Sequence, residues 1–201
     1  MATIAGEALT HTLGVVAKAV RLASDLSFRR PAREELIIAA WLHGIGKATL
    51  AQKSGIYQYD GYSFVLELSA GRPVPSWAAG AHDIELSQFF QSLSRKQQLG
   101  ILFHSRAQDS AKFYSAEMSQ FYADHAMTLT GLENSFIDLV TYCDITTLMT
   151  GKDGTLDAKL EELRRSRSAA DPAIQGFIAA LPQLSTLVWG IDHRLAYASQ
   201  R

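Results

Sequence analysis

Cysteine is nearly absent: Cys143 stands alone among 201 residues, so the chain can close no internal disulfide and offers no cysteine framework for zinc. That suits a reducing compartment, and the expected location is the cytoplasm. Excess charge is missing as well. Lys and Arg number 19 and Asp and Glu 20, a formal net charge of −1, which provides no global field toward nucleic acid or an anionic membrane. No run approaches the roughly 20 uninterrupted apolar residues that span a bilayer. The opening MATIAGEALTHTLGVV has neither the basic start nor the cleavage pattern of a secretory leader, so a soluble protein is expected. Strand-like alternation, internal repeats and low-complexity runs are also lacking. What remains is a chain with 47% apolar residues, enough to bury one substantial core, and it reads as one domain over 1–201.

Helical periodicity fills that chain. Leu9, Leu13, Val16, Val20, Leu22 and Leu26 cover one face of a first helix to about residue 27. Pro31, then Glu34 and Glu35, open a second that carries Leu36, Ile37, Ala40 and Trp41 and should end at Gly44 and Gly46. From 48 to 81 the texture changes: the aromatic stretch YQYDGYSF, a short helix through Val65 to Leu68, and the connection GRPVP. Helices are predicted near 76–93, 95–107, 110–127 and 132–149, followed by a turn at Gly151 and Gly154 and a charged helix, LDAKLEELRRSR. Two more should start at Asp171-Pro172 and Leu181-Pro182 and pack on the rest. The expected architecture is an all-α bundle of about eight to ten helices.

Four of the six histidines, His11, His43, His82 and His104, fall at helix ends or in closely packed helical segments. One histidine alone is more often a hydrogen-bonded core or surface residue than a ligand. A set drawn from several helices is different, because imidazoles and carboxylates can together surround a divalent ion in a bundle core. His125 and His193 are read as structural. The cluster Tyr57, Tyr59, Tyr62 and Phe64 reads as aromatics anchoring a long connection on the core, with base stacking as the functional alternative.

The stretch AAWLHGIGK, residues 39–47, resembles the Leu-His-Asp-Ile-Gly-Lys signature of the HD-domain superfamily of metal-dependent phosphohydrolases at five of six positions of LHGIGK, with Gly44 where that family has aspartate. HTLGVVAKAVRLA is similar to its opening helix, LFHSRAQDSAKFYSAEM to its His-Ser segment, and LVTYCDITTLMTGKDGT to its closing motif. The likeness covers about residues 8–166. It implies metal ligands at His11, His43, His82, His104 and Asp144, with His82 and His104 the pair for a second ion. Ala81-His82-Asp83 is a literal His-Asp doublet but lacks the following Gly-Lys, so it is not the central motif.

The resemblance implies hydrolysis of a nucleotide or related phosphoester. Without the family's central aspartate, two histidines and one carboxylate remain for a first ion, a set competent for Mn, Fe, Ni, Co or Zn, and one ion is expected rather than two. Asp83 or Asp109 could compensate. Lys47 and Arg106 are candidates to bind substrate phosphate, Lys47 with a catalytic part beside Asp144. Thr146 and Thr147 could bond the Asp144 carboxylate or cap the local backbone. The alternatives are a degenerate module that binds or regulates, favoured by Gly44, and an HD-type di-iron oxygenase. The expected partner is a small phosphoester, with no membrane and no basic stripe for nucleic acid; self-association is left open.

Overall fold

The computed structural model describes residues 2–47, 54–71 and 88–200, and within them the fold is an all-α bundle without a β-strand. The helices are α1 (Ala2–Asp25), α2 (Arg30–Leu42), α3 (Tyr57–Ser69), α4 (Arg95–Phe103), α5 (Ala107–Ala111), α6 (Ala116–Ala126), α7 (Gly131–Ile145), α8 (Leu156–Ser166) and α9 (Pro172–Ala198), with 3-10 turns at Ile45–Lys47 and His104–Arg106. Their starts are chemically specified. Ser94 and Gln97 bond reciprocally at the head of α4, as Thr130 and Glu133 do at α7, satisfying donors that a helix start leaves open. Thr155 caps α8, and Asp171 caps α9 with Pro172 in its first turn.

Helix α7 is the hub. It packs against α1, α2, α4, α9 and the 104–106 turn, and Phe136, Val140, Cys143 and Ile145 on it are buried. With Val15, Ala19 and Leu22 of α1, and Leu36 and Ala40 of α2, its inner face forms the largest apolar cluster. A second cluster joins Phe64, Val65 and Leu68 of α3 to Ile101 of α4. The polar edge of α7, at Thr141 and Asp144, is therefore closed in by apolar packing on both sides.

Several boundaries differ from the sequence reading. The expected helix 95–107 stops at Phe103 because Ser105 and Arg106 adopt left-handed backbone, φ 55° and 59°. The expected 110–127 helix divides into α5 and α6, with Ser115 capping the second through a bond from the Met118 N–H. In place of a short helix at 65–68 stands α3, beginning at Tyr57. The two predicted C-terminal helices are one: Pro182 lies inside α9 at an exposed position, where losing one backbone bond does not break a 27-residue helix packed along its other face. By length and composition α9 could cross a membrane; a third of its most apolar window is buried inside the bundle. His82, Asp83 and most of the predicted 76–93 helix lie outside the described residues.

At one point two elements approach so closely that only glycine fits between them. A Cβ on Gly46 would collide with the Tyr57 carbonyl oxygen and approach the Gly61 nitrogen to 2.6 Å, so the turn after α2 sits directly on the start of α3. Gly46→Ala should lower stability by about 2 kcal/mol or more. Gly190→Ala, in α9 with nothing within 4 Å of an added methyl, should raise it by about 0.5–1 kcal/mol. Urea midpoints of the two variants measure both.

Candidate metal centre

Four helix segments deliver the site. The middle of α1 brings His11, the residue after α2 brings His43, the residue after α4 brings His104, and the last turn of α7 brings Asp144; all four are buried. His11 Nε2 lies 2.8 Å from Asp144 Oδ1 and His43 Nε2 lies 3.8 Å from the same oxygen. One ligand atom from each of His11, His43 and Asp144 falls within 4.8 Å of the others. The His104 ring is 5.4 Å from that of His43, as far as His43 is from His11, yet His104 is not part of the tight trio.

Backbone hydrogen bonds decide which ring nitrogen faces inward. His43 Nδ1 donates to the Ala40 carbonyl at 2.6 Å and His104 Nδ1 to the Ile101 carbonyl at 2.8 Å, each three residues back in its own helix end. Neutral imidazole carries one N–H, so Nε2 of both rings presents a lone pair, and among the described residues both are buried without a hydrogen-bond partner. Burial lowers the basicity of both rings: His43 is held well below the usual histidine range, and His104 is pushed down to about 4. The attraction of Asp144 offsets this only in part.

His11 is bound differently. Its Nδ1 is 3.1 Å from the Leu148 carbonyl and its Nε2 faces the Asp144 carboxylate. A carbonyl and a carboxylate only accept, so both nitrogens need a proton, or a cation must take the place of the second one. Two inward imidazole nitrogens beside one carboxylate oxygen, with the bare His104 Nε2 farther off, are the donor chemistry of a transition-metal site. Nδ1–H bonded to backbone is also how ligating histidines are usually oriented.

Burial would raise the Asp144 carboxyl, but the His11 hydrogen bond, Lys159 and the neighbouring imidazoles outweigh it and hold it well below the usual range. Its helix end is fastened by two lysines. Lys18 Nζ donates to the Thr146 carbonyl and hydroxyl, at 2.5 and 2.8 Å, and the buried Lys159 Nζ donates to the Thr147 carbonyl at 2.8 Å. Cations at a helix C-terminus offset its partial negative charge. Thr146 and Thr147 spend their hydroxyls on the Tyr142 and Cys143 carbonyls, so they cap the backbone and do not bond the carboxylate. The turn that follows crosses α1 at Gly14 and Gly151. Gly151 has φ +74°, and a Cβ there would come within 2.6 Å of the Thr10 carbonyl, so the turn carrying Leu148 lies against the helix carrying His11.

Around this core the other candidates separate. Lys47 sits with its ammonium 4.6 Å from the centre of the Tyr57 ring, and burial lowers its pKa from the ordinary lysine value. Tyr57 stands 5.4 Å from His104, so the first residue of α3 belongs to the site, whereas Tyr59 and Tyr62 pack on Phe121 and Phe64 joins the core. Arg106 donates to Asp109 at 2.7 Å and lines a groove of about 400 Å³ with Asp138 and Pro182; that pairing occupies Asp109 also. His125 bonds the Phe121 carbonyl, and His193 stacks on Trp189. At Gly44 an added Cβ would meet, among the described residues, only the Thr12 hydroxyl at 3.5 Å and the Lys47 chain at 4.0 Å, so the backbone does not demand glycine there.

Sequence reasoning missed Ser105, whose hydroxyl donates to Asp144 Oδ2, and the lysines behind α7. The signals for Ser105 were its place next to His104 and the His-Ser likeness of that segment. No protein-family profile matches the chain, and no curated protein or solved structure matches it significantly.

Replacing Asp144 by asparagine removes the charge that His11 answers. We expect Asp144→Asn to destabilise the metal-free protein by about 3 kcal/mol, since the buried hydrogen bonds from His11 and Ser105 lose the anion that strengthens them. Denaturant unfolding in the presence of a chelator measures it.

Proposed function

We propose that this chain is an HD-type, metal-dependent phosphohydrolase acting on a nucleotide or related phosphoester and holding one transition-metal ion. The observation that carries the reading is the convergence of His11, His43 and Asp144, with the bare Nε2 atoms of His43 and His104 turned inward. His11, His43 and Asp144 would hold the ion, and the nitrogen-rich donor set suits Mn, Fe, Co, Ni or Zn better than Mg. Bound there, the ion supplies a Lewis acid that activates water and offsets charge on phosphoryl oxygens. The chain's own residues do the remainder. Lys47 places an ammonium beside the trio, and its position over the Tyr57 ring holds that charge where an anionic group would enter. His104 Nε2 can accept a hydrogen bond from a water or hydroxyl in the site, because its other nitrogen is committed to Ile101. The apolar packing around the trio keeps bulk water out and strengthens each of these interactions.

A second reading follows from Gly44. The trio contains one carboxylate, and a site of that charge holds a single ion less firmly than one with two; a chain that retains the fold as a binding module would look the same. Purified protein is expected to carry about one equivalent of Zn, Mn, Fe, Co or Ni by elemental analysis and to hydrolyse members of a nucleotide and phosphodiester panel. Lys47→Met should reduce kcat/KM by about 10²-fold with metal content unchanged. No bound metal and no turnover under any of these metals would sink the hydrolase. If Gly44→Asp then brings metal and turnover to an inert chain, the module reading is the correct one.

A further inference from the structure

The carboxylate of Asp144 is divided between two kinds of neighbour. Oδ1 faces His11 and His43, and Oδ2 accepts a hydrogen bond from the Ser105 hydroxyl. That hydroxyl reaches Asp144 only because of an uncommon backbone. Ser105 (φ 55°, ψ 24°) and Arg106 (φ 59°, ψ 44°) are consecutive non-glycine residues in the left-handed region; among the described residues Ser27 is the one other such case. An α-helix continued through 104–106 would turn residue 105 about 100° away from residue 104, so only one of the two side chains could face α7. The left-handed step lets both do so.

The turn is held from three directions. His104 is anchored through Nδ1 to Ile101, the Ser105 N–H donates to the Thr141 hydroxyl at 3.1 Å, and Arg106 is tied to Asp109. Thr141 lies on α7 one turn before Asp144, so the helix that presents the carboxylate also locates the hydroxyl that steadies it. Strained backbone of this kind persists where surrounding contacts over-determine it, and it gathers at functional sites.

We infer that Ser105 is a positioning residue for the metal centre: its hydroxyl engages Oδ2 of Asp144 and leaves Oδ1 as the single oxygen offered to an ion shared with His11 and His43. This rests on the metal-dependent reading above. It adds a residue to the site and gives the strained turn a purpose. A partner bonded to a ligating carboxylate sets the ligand's orientation, and losing such a partner typically weakens metal binding by 10 to 100-fold.

Two variants separate the hydroxyl from the strain. Ser105→Ala removes the hydroxyl and keeps a Cβ in the left-handed region; Ser105→Gly removes both. Zn²⁺ and Mn²⁺ affinities, measured on each protein by competition with a chromophoric chelator, should fall about tenfold or more in both variants. Thermal melts of the metal-free proteins should place Ser105→Gly about 3 °C above Ser105→Ala, since only the glycine relieves the turn. Weakened metal binding in the variant with the more relaxed backbone cannot come from a general loss of structure, and if Ser105→Ala fails to fold, Ser105→Gly still decides the matter. Wild-type binding that persists undiminished in Ser105→Gly overturns the role of Ser105 and leaves the metal centre standing. Wild-type protein that binds neither ion overturns the metal-dependent reading itself, and this inference with it.

Discussion

A carboxylate buried in the middle of an apolar bundle is the constraint around which this molecule is arranged. Asp144 is 3% exposed, and a charge so far from water is tolerated only when donors surround it. Each donor comes from a different part of the chain: His11 from α1, Ser105 from the turn after α4, with His43 near the same oxygen from the end of α2. The requirement to answer one negative charge thus places two segments that are distant in sequence, α1 and the turn after α4. The hydrophobic clusters on either side of α7 supply most of the stabilising burial, but burial is non-directional and would accept α7 in other rotations. The Asp144 bonds remove that freedom.

Close approach is the second requirement, and small residues meet it. The turn carrying Leu148 could not accept the His11 Nδ1 proton unless Gly14 and Gly151 let it lie on α1. Gly46 does the same for α3, and the result is that Tyr57 stands beside His104 and Lys47. In the LHGIGK stretch the two glycines therefore differ in kind. Gly46 is demanded by the packing, whereas Gly44 has room for a side chain.

Much of the helical framework was legible in the order of residues. The apolar spacing of α1, the Pro31 start of α2, and the Asp171-Pro172 start of α9 are local signals, and the structure follows them. The reading failed where a distant contact overruled a local one. Pro182 looked like a helix start, yet α9 continues because its buried face, Phe177, Ala180 and Leu184, is packed on α8 residues and Ile145. The stretch 95–107 looked continuous, and it breaks at Ser105 because Thr141 and Asp144 hold that residue in a conformation no propensity favours.

Of the candidate site, the expectation of His11, His43, His82, His104 and Asp144 as ligands came from the family resemblance; the structure gathers His11, His43, His104 and Asp144, and His82 lies outside the described residues. Their convergence was not legible in the sequence, since it depends on the angles at which four helices cross. Nor were the inward tautomers of His43 and His104, which backbone carbonyls three residues away select, or the burial that keeps those rings neutral. The sequence by itself determined a helical chain with a limited stock of metal-ligating groups. Tertiary packing alone decided that three of those groups share a single dry point, that Tyr57 and Ser105 join them, and that Arg106 faces elsewhere. The reason is physical: local pattern acts over one or two helical turns, while the energy of a buried charge is settled by whatever the whole fold brings within a few ångströms of it.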